Sequence, residues 1–216
     1  MLANTEQRDK FIELFHHHGT KLSYKKGEFI IRPGDIPSGI FLIESGTVKA
    51  YDITKYGEEN LLSVRKKGEI FPLIWTITGK GRQVIYEALV PTVVWRVKRE
   101  LFVGAVQEEP DIIFPFMDII LEMYRIHSER IFGLEYRSIR ERLISFLLIM
   151  SQRFGRRTGE GLLIDVPLRH QDIASSINSS RETASREITA LERKNLLTNY
   201  QGYIILKDVK KLKEYL

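Results

Sequence analysis

Asn178-Ser179-Ser180-Arg181-Glu182-Thr183-Ala184-Ser185-Arg186 is the stretch on which the reading of this chain turns. Ser179, followed three residues later by Glu182, has the spacing of a capping box, in which each side chain satisfies a free backbone N–H, and it predicts a helix that starts there. On that helix Ala184, Ile188 and Leu191 fall at i, i+4 and i+7 and form an inward stripe. Arg181, Glu182, Ser185, Arg186 and Thr189 share the opposite face. An arginine fork can donate twice to O6 and N7 of guanine, and a carboxylate can accept from the N4 amino group of cytosine, so this outer face suits base edges in a major groove. The plain alternative is a solvated charged face, and the flanking sequence weighs against it.

Upstream, residues 168–177 predict a second short helix with Ile173, Ala174 and Ile177 inward, joined to the first through Asn178. A tight turn between helices needs a residue that tolerates positive φ, and asparagine does so better than most non-glycine residues. Downstream, Leu196-Leu197-Thr198-Asn199 and Tyr203-Ile204-Ile205-Leu206 flank Tyr200-Gln201-Gly202 and read as a β-hairpin, or wing. Helix, turn, helix, wing is an order that serves DNA binding.

The rest of the chain bounds this reading. Its 216 residues allow one large or two small domains. Lysine and arginine number 33 against 28 aspartate and glutamate, a net charge of +5 that is unevenly spread. Residues 137–157 hold Arg137, Arg140, Arg142, Arg153, Arg156 and Arg157 against Glu141 alone, which points to phosphates as counterpart. No apolar run approaches the ~20 residues of a membrane span, and no signal-peptide core is visible, so a soluble, cytoplasmic protein with no membrane partner is expected. With no cysteine, thiolate switches, cysteine nucleophiles and cysteine-ligated iron–sulfur clusters are excluded.

Residues 6–17 read as a short helix ending in His16-His17-His18. Three consecutive helical residues point about 100° apart and do not converge on one ion, so no metal site is expected there. Residues 21–97 switch to short apolar runs such as Ile40-Phe41-Leu42-Ile43, with Gly34, Gly46, Gly57 and Gly68 at intervals of 12, 11 and 11 residues. That spacing predicts a small antiparallel β-barrel or sandwich, either enclosing a small ligand or simply packed. Residues 98–109 read as helical. Residues 111–134 carry the longest helical pattern, in which Ile113, Met117, Ile120, Tyr124, His127, Ile131 and Leu134 make a heptad seam suited to pairing with a second copy. A break at residues 133–138 marks a hinge, residues 139–154 a further helix, and residues 155–161 a basic, glycine-containing surface loop.

In this order of parts, the chain resembles the CRP/FNR family of bacterial transcription regulators from about residue 21 to residue 206. Gln171-Asp172-Ile173-Ala174, followed by Ser179-Ser180-Arg181-Glu182-Thr183 and Arg186, is similar to the helix-turn-helix signature of that family. The resemblance implies an α+β chain: an N-terminal jelly-roll-like antiparallel β-barrel with a long dimerisation helix over residues 1–134, and a winged helix-turn-helix domain over residues 135–216. It implies that Arg181, Glu182 and Arg186 read the bases of a half-site similar to TGTGA, within an inverted-repeat operator bound by a homodimer. Gln171, Ser180, Thr183 and Ser185 would lie near the DNA backbone, and the 155–161 loop would lie where some relatives touch RNA polymerase.

The effector site departs from the family pattern. Where relatives that bind cyclic AMP carry a Gly-Glu pair, this chain has Pro72-Leu73, and where they carry Arg-Ser it has Arg82-Gln83. Proline offers no N–H to a cyclic phosphate and leucine cannot accept from a ribose hydroxyl. The positions that meet the adenine fall on His127 and Ser128. Arg82, Gln83, Leu73, Trp75, His127 and Ser128 are therefore the candidate pocket for an unidentified effector, with cyclic AMP disfavoured and histidine-held haem a lesser alternative. A cyclic-nucleotide-responsive regulator or signalling subunit with a degenerate phosphate cassette is the second reading. No P-loop, dinucleotide fingerprint, metal-spaced histidine set or nucleophile motif is present, and no catalytic residue is expected.

Overall fold

The computed structural model describes residues 2–81 and 84–216. The chain divides into two compact units, Met1–Asp52 with Leu62–Tyr124, and Ile53–Leu61 with Arg125–Leu216. The division falls inside the long helix rather than at residue 134, and it gives one hairpin tip of the N-terminal region to the second unit.

The first unit opens with α1 (Thr5–His18), capped by Asn4, whose side chain accepts from Gln7 N while the Gln7 side chain accepts from Asn4 N. Eight strands follow: β1 (Thr20–Tyr24), β2 (Phe29–Ile31), β3 (Ile40–Ser45), β4 (Thr47–Ile53), β5 (Glu59–Lys66), β6 (Ile70–Phe71), β7 (Ile85–Ala88) and β8 (Thr92–Val97). They form two four-stranded sheets, ordered β1-β8-β3-β6 and β2-β7-β4-β5, whose ladders are antiparallel. This is a jelly-roll-like arrangement, not a closed barrel. The recurring glycines mark its turns. Gly46 has φ 88°, and a Cβ there would lie 2.4 Å from Thr92 Oγ1 and 2.6 Å from Pro91 O, so only glycine fits.

The consecutive burial of Ile40, Phe41, Leu42 and Ile43 follows from the two-residue period of a strand covered on both faces. Phe41 and Ile43 join Ile31, Val48, Ala50, Phe71, Tyr86 and Val94 between the sheets. There Phe71 stacks on Phe41 at 5.2 Å and on Tyr86 at 4.6 Å between ring centroids. Ile40 and Leu42 face the other way, against Phe11 and Phe15 of α1, Phe102 of α3 (Arg99–Glu108) and Phe116.

A short helix absent from the sequence reading, α2 (Leu73–Thr78), follows Pro72. Its last carbonyls are held by Arg99, which donates to Trp75 O, Thr76 O and Ile77 O at 3.1, 3.0 and 2.6 Å. After a 3-10 turn (Pro110–Ile112) comes α4 (Ile113–Tyr136). The predicted seam on α4 is corrected in part: Ile113 and Ile120 pack against the core, and the outward apolar row is Phe114, Leu121, Tyr124, Ile131, Phe132 and Leu134. The helix carries apolar residues on adjacent stripes, so periodicity alone does not say which stripe the body takes.

In the second unit, α5 (Ile139–Phe154) is capped by the Ser138–Glu141 box and buries Leu143, Ile144, Leu147 and Met150. Residues 155–161 are not a plain loop. Gly155–Thr158 is strand β9, and with β10 (Gly161–Ile164) it forms a hairpin that extends the wing sheet, ordered β11-β12-β10-β9. The wing proper is β11 (Leu197–Tyr200) and β12 (Tyr203–Leu206). Its turn has Gln201 at φ 51° and Gly202 at φ 86°, the paired positive values that match the twist of a tight hairpin. The helices α6 (His170–Ser176), α7 (Arg181–Arg193) and α8 (Val209–Lys213) complete the unit.

Candidate nucleic-acid interface

The turn between α6 and α7 is built as the sequence requires, one residue later than predicted. Asn178 takes φ 50°, and Ser179 N donates to Ala174 O at 2.9 Å, closing α6 with a Schellman pattern. This consumes Ser179 in the end of α6. The cap of α7 is therefore Ser180, whose Oγ accepts from Thr183 N at 3.1 Å and lies 3.0 Å from Thr183 Oγ1. The predicted box between Ser179 and Glu182 does not form, because the Ser-Ser pair offers two equivalent caps and the backbone of the preceding helix decides between them.

Behind α7, Ala184, Ile188 and Leu191 are fully buried. Arg181, Glu182 and Arg186 are all exposed, and Thr183 Oγ1 accepts from Arg186 Nη2 at 3.1 Å, which fixes where that guanidinium starts. The outer face of the recognition helix is thus two arginines and a carboxylate within its first two turns. Glu187 faces inward to α5, accepting from Arg140 Nε at 2.6 Å. Burying three apolar side chains stabilises the helix against its neighbours by roughly 1.5–3 kcal/mol for each large one. That packing holds the charged face outward.

His170, which the sequence reading passed over, joins three elements. Its Nδ1 is 2.7 Å from Ser185 Oγ on α7, and its Nε2 is 2.7 Å from Asn199 Nδ2 on β11. Ser185 is half-buried and engaged by His170 rather than fully turned outward, while Gln171 is half-exposed beside it. Tyr200 and Gln201 stand exposed at the wing tip, and Leu168 N donates to Gly202 O at 2.9 Å, seating the wing against the strand leading into α6.

The basic stretch of residues 137–157 has a different role from the one composition suggested. Arg137 pairs with Glu129, Arg140 with Glu187 and Arg156 with Asp165. These arginines meet carboxylates of their own unit rather than presenting one open patch to phosphate.

The candidate effector residues are not brought together. Leu73 and Trp75 pack against the helical core on the outer side of the first sheet, not between the sheets. Arg82 and Gln83 lie outside the described residues, and His127 and Ser128 belong to the second unit. Between the sheets the chain places its own aromatic stack, where burial pushes the Tyr86 phenol up, opposed by nearby Arg65. His16 packs on the Trp95 ring at 4.7 Å, and among the described residues no group of three or more histidine, aspartate or glutamate side chains is arranged to hold a metal ion. Among the described residues no helix is long and apolar enough to cross a membrane.

Comparison with known proteins agrees with this geometry. Residues 141–215 match the Crp-like helix-turn-helix domain, and residues 21–109 match the cyclic nucleotide-binding domain. The chain is 28% identical over 212 residues to the global nitrogen regulator of Synechococcus elongatus, covering 94% of each. It is 25% identical to the fumarate and nitrate reduction regulatory protein of Vibrio cholerae, over 98% of this chain and 82% of that one. Among solved structures, FixK2 from Bradyrhizobium japonicum shares the fold with a TM-score of 0.78 at 22% identity, over 91% of this chain and 96% of that one. Jelly-roll-like sheets, a long helix and a winged helix-turn-helix in one chain, with both family models matched, place this protein in the CRP/FNR family of transcription regulators.

Proposed function

We propose that the chain acts as a homodimer that binds an inverted-repeat operator in double-stranded DNA, reading bases with Arg181, Glu182 and Arg186. The observation that carries this reading is the capped helix α7, with Ala184, Ile188 and Leu191 buried and those three side chains exposed together. Ser180, Thr183 and Gln171 are the backbone contacts, and Ser185 contributes through the hydroxyl proton left to it by His170. The outward row on α4, Phe114, Leu121, Tyr124, Ile131, Phe132 and Leu134, supports pairing with a second copy. The work is done in the cytoplasm, with RNA polymerase as a further partner. The N-terminal sheets hold or once held an effector other than cyclic AMP, since Pro72 lacks an amide at the phosphate position and Leu73 turns toward the outer core. The match to the cyclic nucleotide-binding domain keeps a cyclic-nucleotide response as the second reading.

A duplex selected by the protein from a random library tests the first reading. Arg181→Ala loses discrimination at one base pair of each half-site by roughly 1–3 kcal/mol in competition gel shifts. Uniform weakening across all sequences overturns the base-reading role. Isothermal titration with cyclic AMP tests the second reading, and the expected result is no binding.

A further inference from the structure

The tip of the β4–β5 hairpin, residues 53–61, is part of the second unit. Leu61 N donates to Ser175 Oγ at 3.1 Å. Arg130 secures the same place, donating to Leu61 O at 3.0 Å, to Asn60 Oδ1 at 3.2 Å and to Ser175 O at 3.0 Å. One residue before Asn60, Glu59 reaches the guanidinium of Arg169, the cap residue of α6. Asp172 holds the same guanidinium from the other side, accepting from Nε at 3.0 Å and Nη2 at 2.9 Å. Asp172 is buried at 3% side-chain exposure, whereas Arg169 is 58% and Glu59 31% exposed.

We propose that Arg169 is a further contact to the operator backbone and that Glu59 is the anion it releases to make that contact. The proposal rests on the DNA-binding reading given above.

Three features support it. The residue after Arg169 is His170, which touches both the recognition helix at Ser185 and the wing strand at Asn199, so the start of α6 lies where the two DNA-seeking elements meet. Arg181 and Ser185 are spaced i, i+4 on that helix, which places this junction along the base-reading side. Next, the buried Asp172 fixes the guanidinium plane, so the fork is set before any partner arrives and its outer edge takes an oxyanion. A phosphate offers the same oxygens as the Glu59 carboxylate.

Last, charge favours exchange over coexistence. Arg169 with Asp172 and Glu59 carries a net −1, which a polyanion approaching the same edge would oppose. With Glu59 displaced, Arg169 and Asp172 balance, and the phosphate takes the free donor edge. Glu59 is the first residue of β5, which runs on to Lys66 in the sheet β2-β7-β4-β5. Any shift of that strand moves the competitor along its own chain.

The test uses the full chain and its selected duplex, with Kd measured across a salt series. Glu59→Gln is expected to tighten binding by about two- to fivefold, the ratio that an exposed ion pair commands. Arg169→Gln is expected to weaken binding and to lower the slope of log K against log salt by about 0.9. In the Arg169→Gln background, Glu59→Gln is expected to give no further gain. Arg169→Lys, which keeps the charge without the fork, retains the slope and serves if the glutamine variant unfolds. A Glu59→Gln gain that persists without Arg169, or equals the gain from Glu58→Gln, is a general charge effect and overturns the proposal. An unchanged salt slope in Arg169→Gln also overturns it. Failure of the wild-type chain to select any duplex would sink the DNA reading itself, a result distinct from these.

Discussion

The imidazole of His170 holds the hydroxyl of Ser185, with Nδ1 and Oγ 2.7 Å apart. Because the Asn199 amide donates to Nε2, the ring proton sits on Nδ1 and is donated to Ser185, which leaves the serine O–H free to donate outward. The ring therefore sets the spacing between recognition helix and wing. His170→Ala is expected to cost about 1–2 kcal/mol in operator affinity with base preference intact. Ser185→Ala strands a part-buried N–H and is expected to cost about 1–3 kcal/mol in stability. Nitrogen NMR of the ring checks the arrangement: a neutral His170 protonated on Nε2 would refute it.

The α6–α7 turn depends on Asn178 at φ 50°. A left-handed conformation costs a Cβ-bearing residue roughly 1–2 kcal/mol, least for asparagine among them and nothing for glycine. Asn178→Gly should therefore leave the thermal midpoint near the wild-type value, while Asn178→Val should lower stability by about that amount. Equal loss in both would show that the asparagine amide, not the backbone, matters.

This turn also shows how far the sequence can be read. The inward stripe of Ala184, Ile188 and Leu191 and the exposed triad Arg181, Glu182 and Arg186 follow from a 3.6-residue period that needs no partner to be seen. The choice of Ser180 over Ser179 as cap is invisible, since it depends on where the preceding helix spends its last N–H groups. Strand β9, with Arg156 and Arg157 in four residues, lacks any apolar alternation, and helix α2 spans only Leu73–Thr78. Long-range pairs leave no trace at all: Glu59 and Arg169 are 110 residues apart, and His170 meets Asn199 across 29.

The N-terminal arm offers a test by pH. Burial pushes the Asp118 carboxyl up, but Leu2 N, Ala3 N and Arg8 outweigh it and hold the group below the usual carboxylate range. A carboxylate depressed on docking contributes stability that is present above its unfolded value, about 3.9, and lost as pH falls through the folded one. The amide resonances of Leu2 and Ala3 should therefore hold steady at neutral pH and titrate together below about 4. Asp118→Asn should abolish that titration and release the arm at every pH. Independent titration of the two amides would show that Asp118 does not pin them.

The bend after α4 is held by one arginine. Arg137 donates to the Glu129 carboxylate on α4 and, at 2.9 Å, to Ser145 Oγ on α5, while Ser145 Oγ donates to Glu129 at 3.1 Å. Arg137 is the main cause that holds Glu129 below the usual range, burial opposes it, and Ser145 assists. The closed triangle spans the residues where the helix direction changes, so it stiffens the joint through which the pairing helix aims the recognition helix. By the same sign rule as for Asp118, its contribution is complete above about pH 4.3 and fades in acid. Glu129→Gln keeps the shape and removes the charge, and Arg137→Met removes the donor. Both should broaden the distance between spin labels placed on α4 and α5, the second more than the first, while a Ser145→Ala variant falls between wild type and Glu129→Gln. If the three distributions match wild type, the joint is set by packing of Leu143 and Leu147 alone, and the charged triangle has no part in aiming α7.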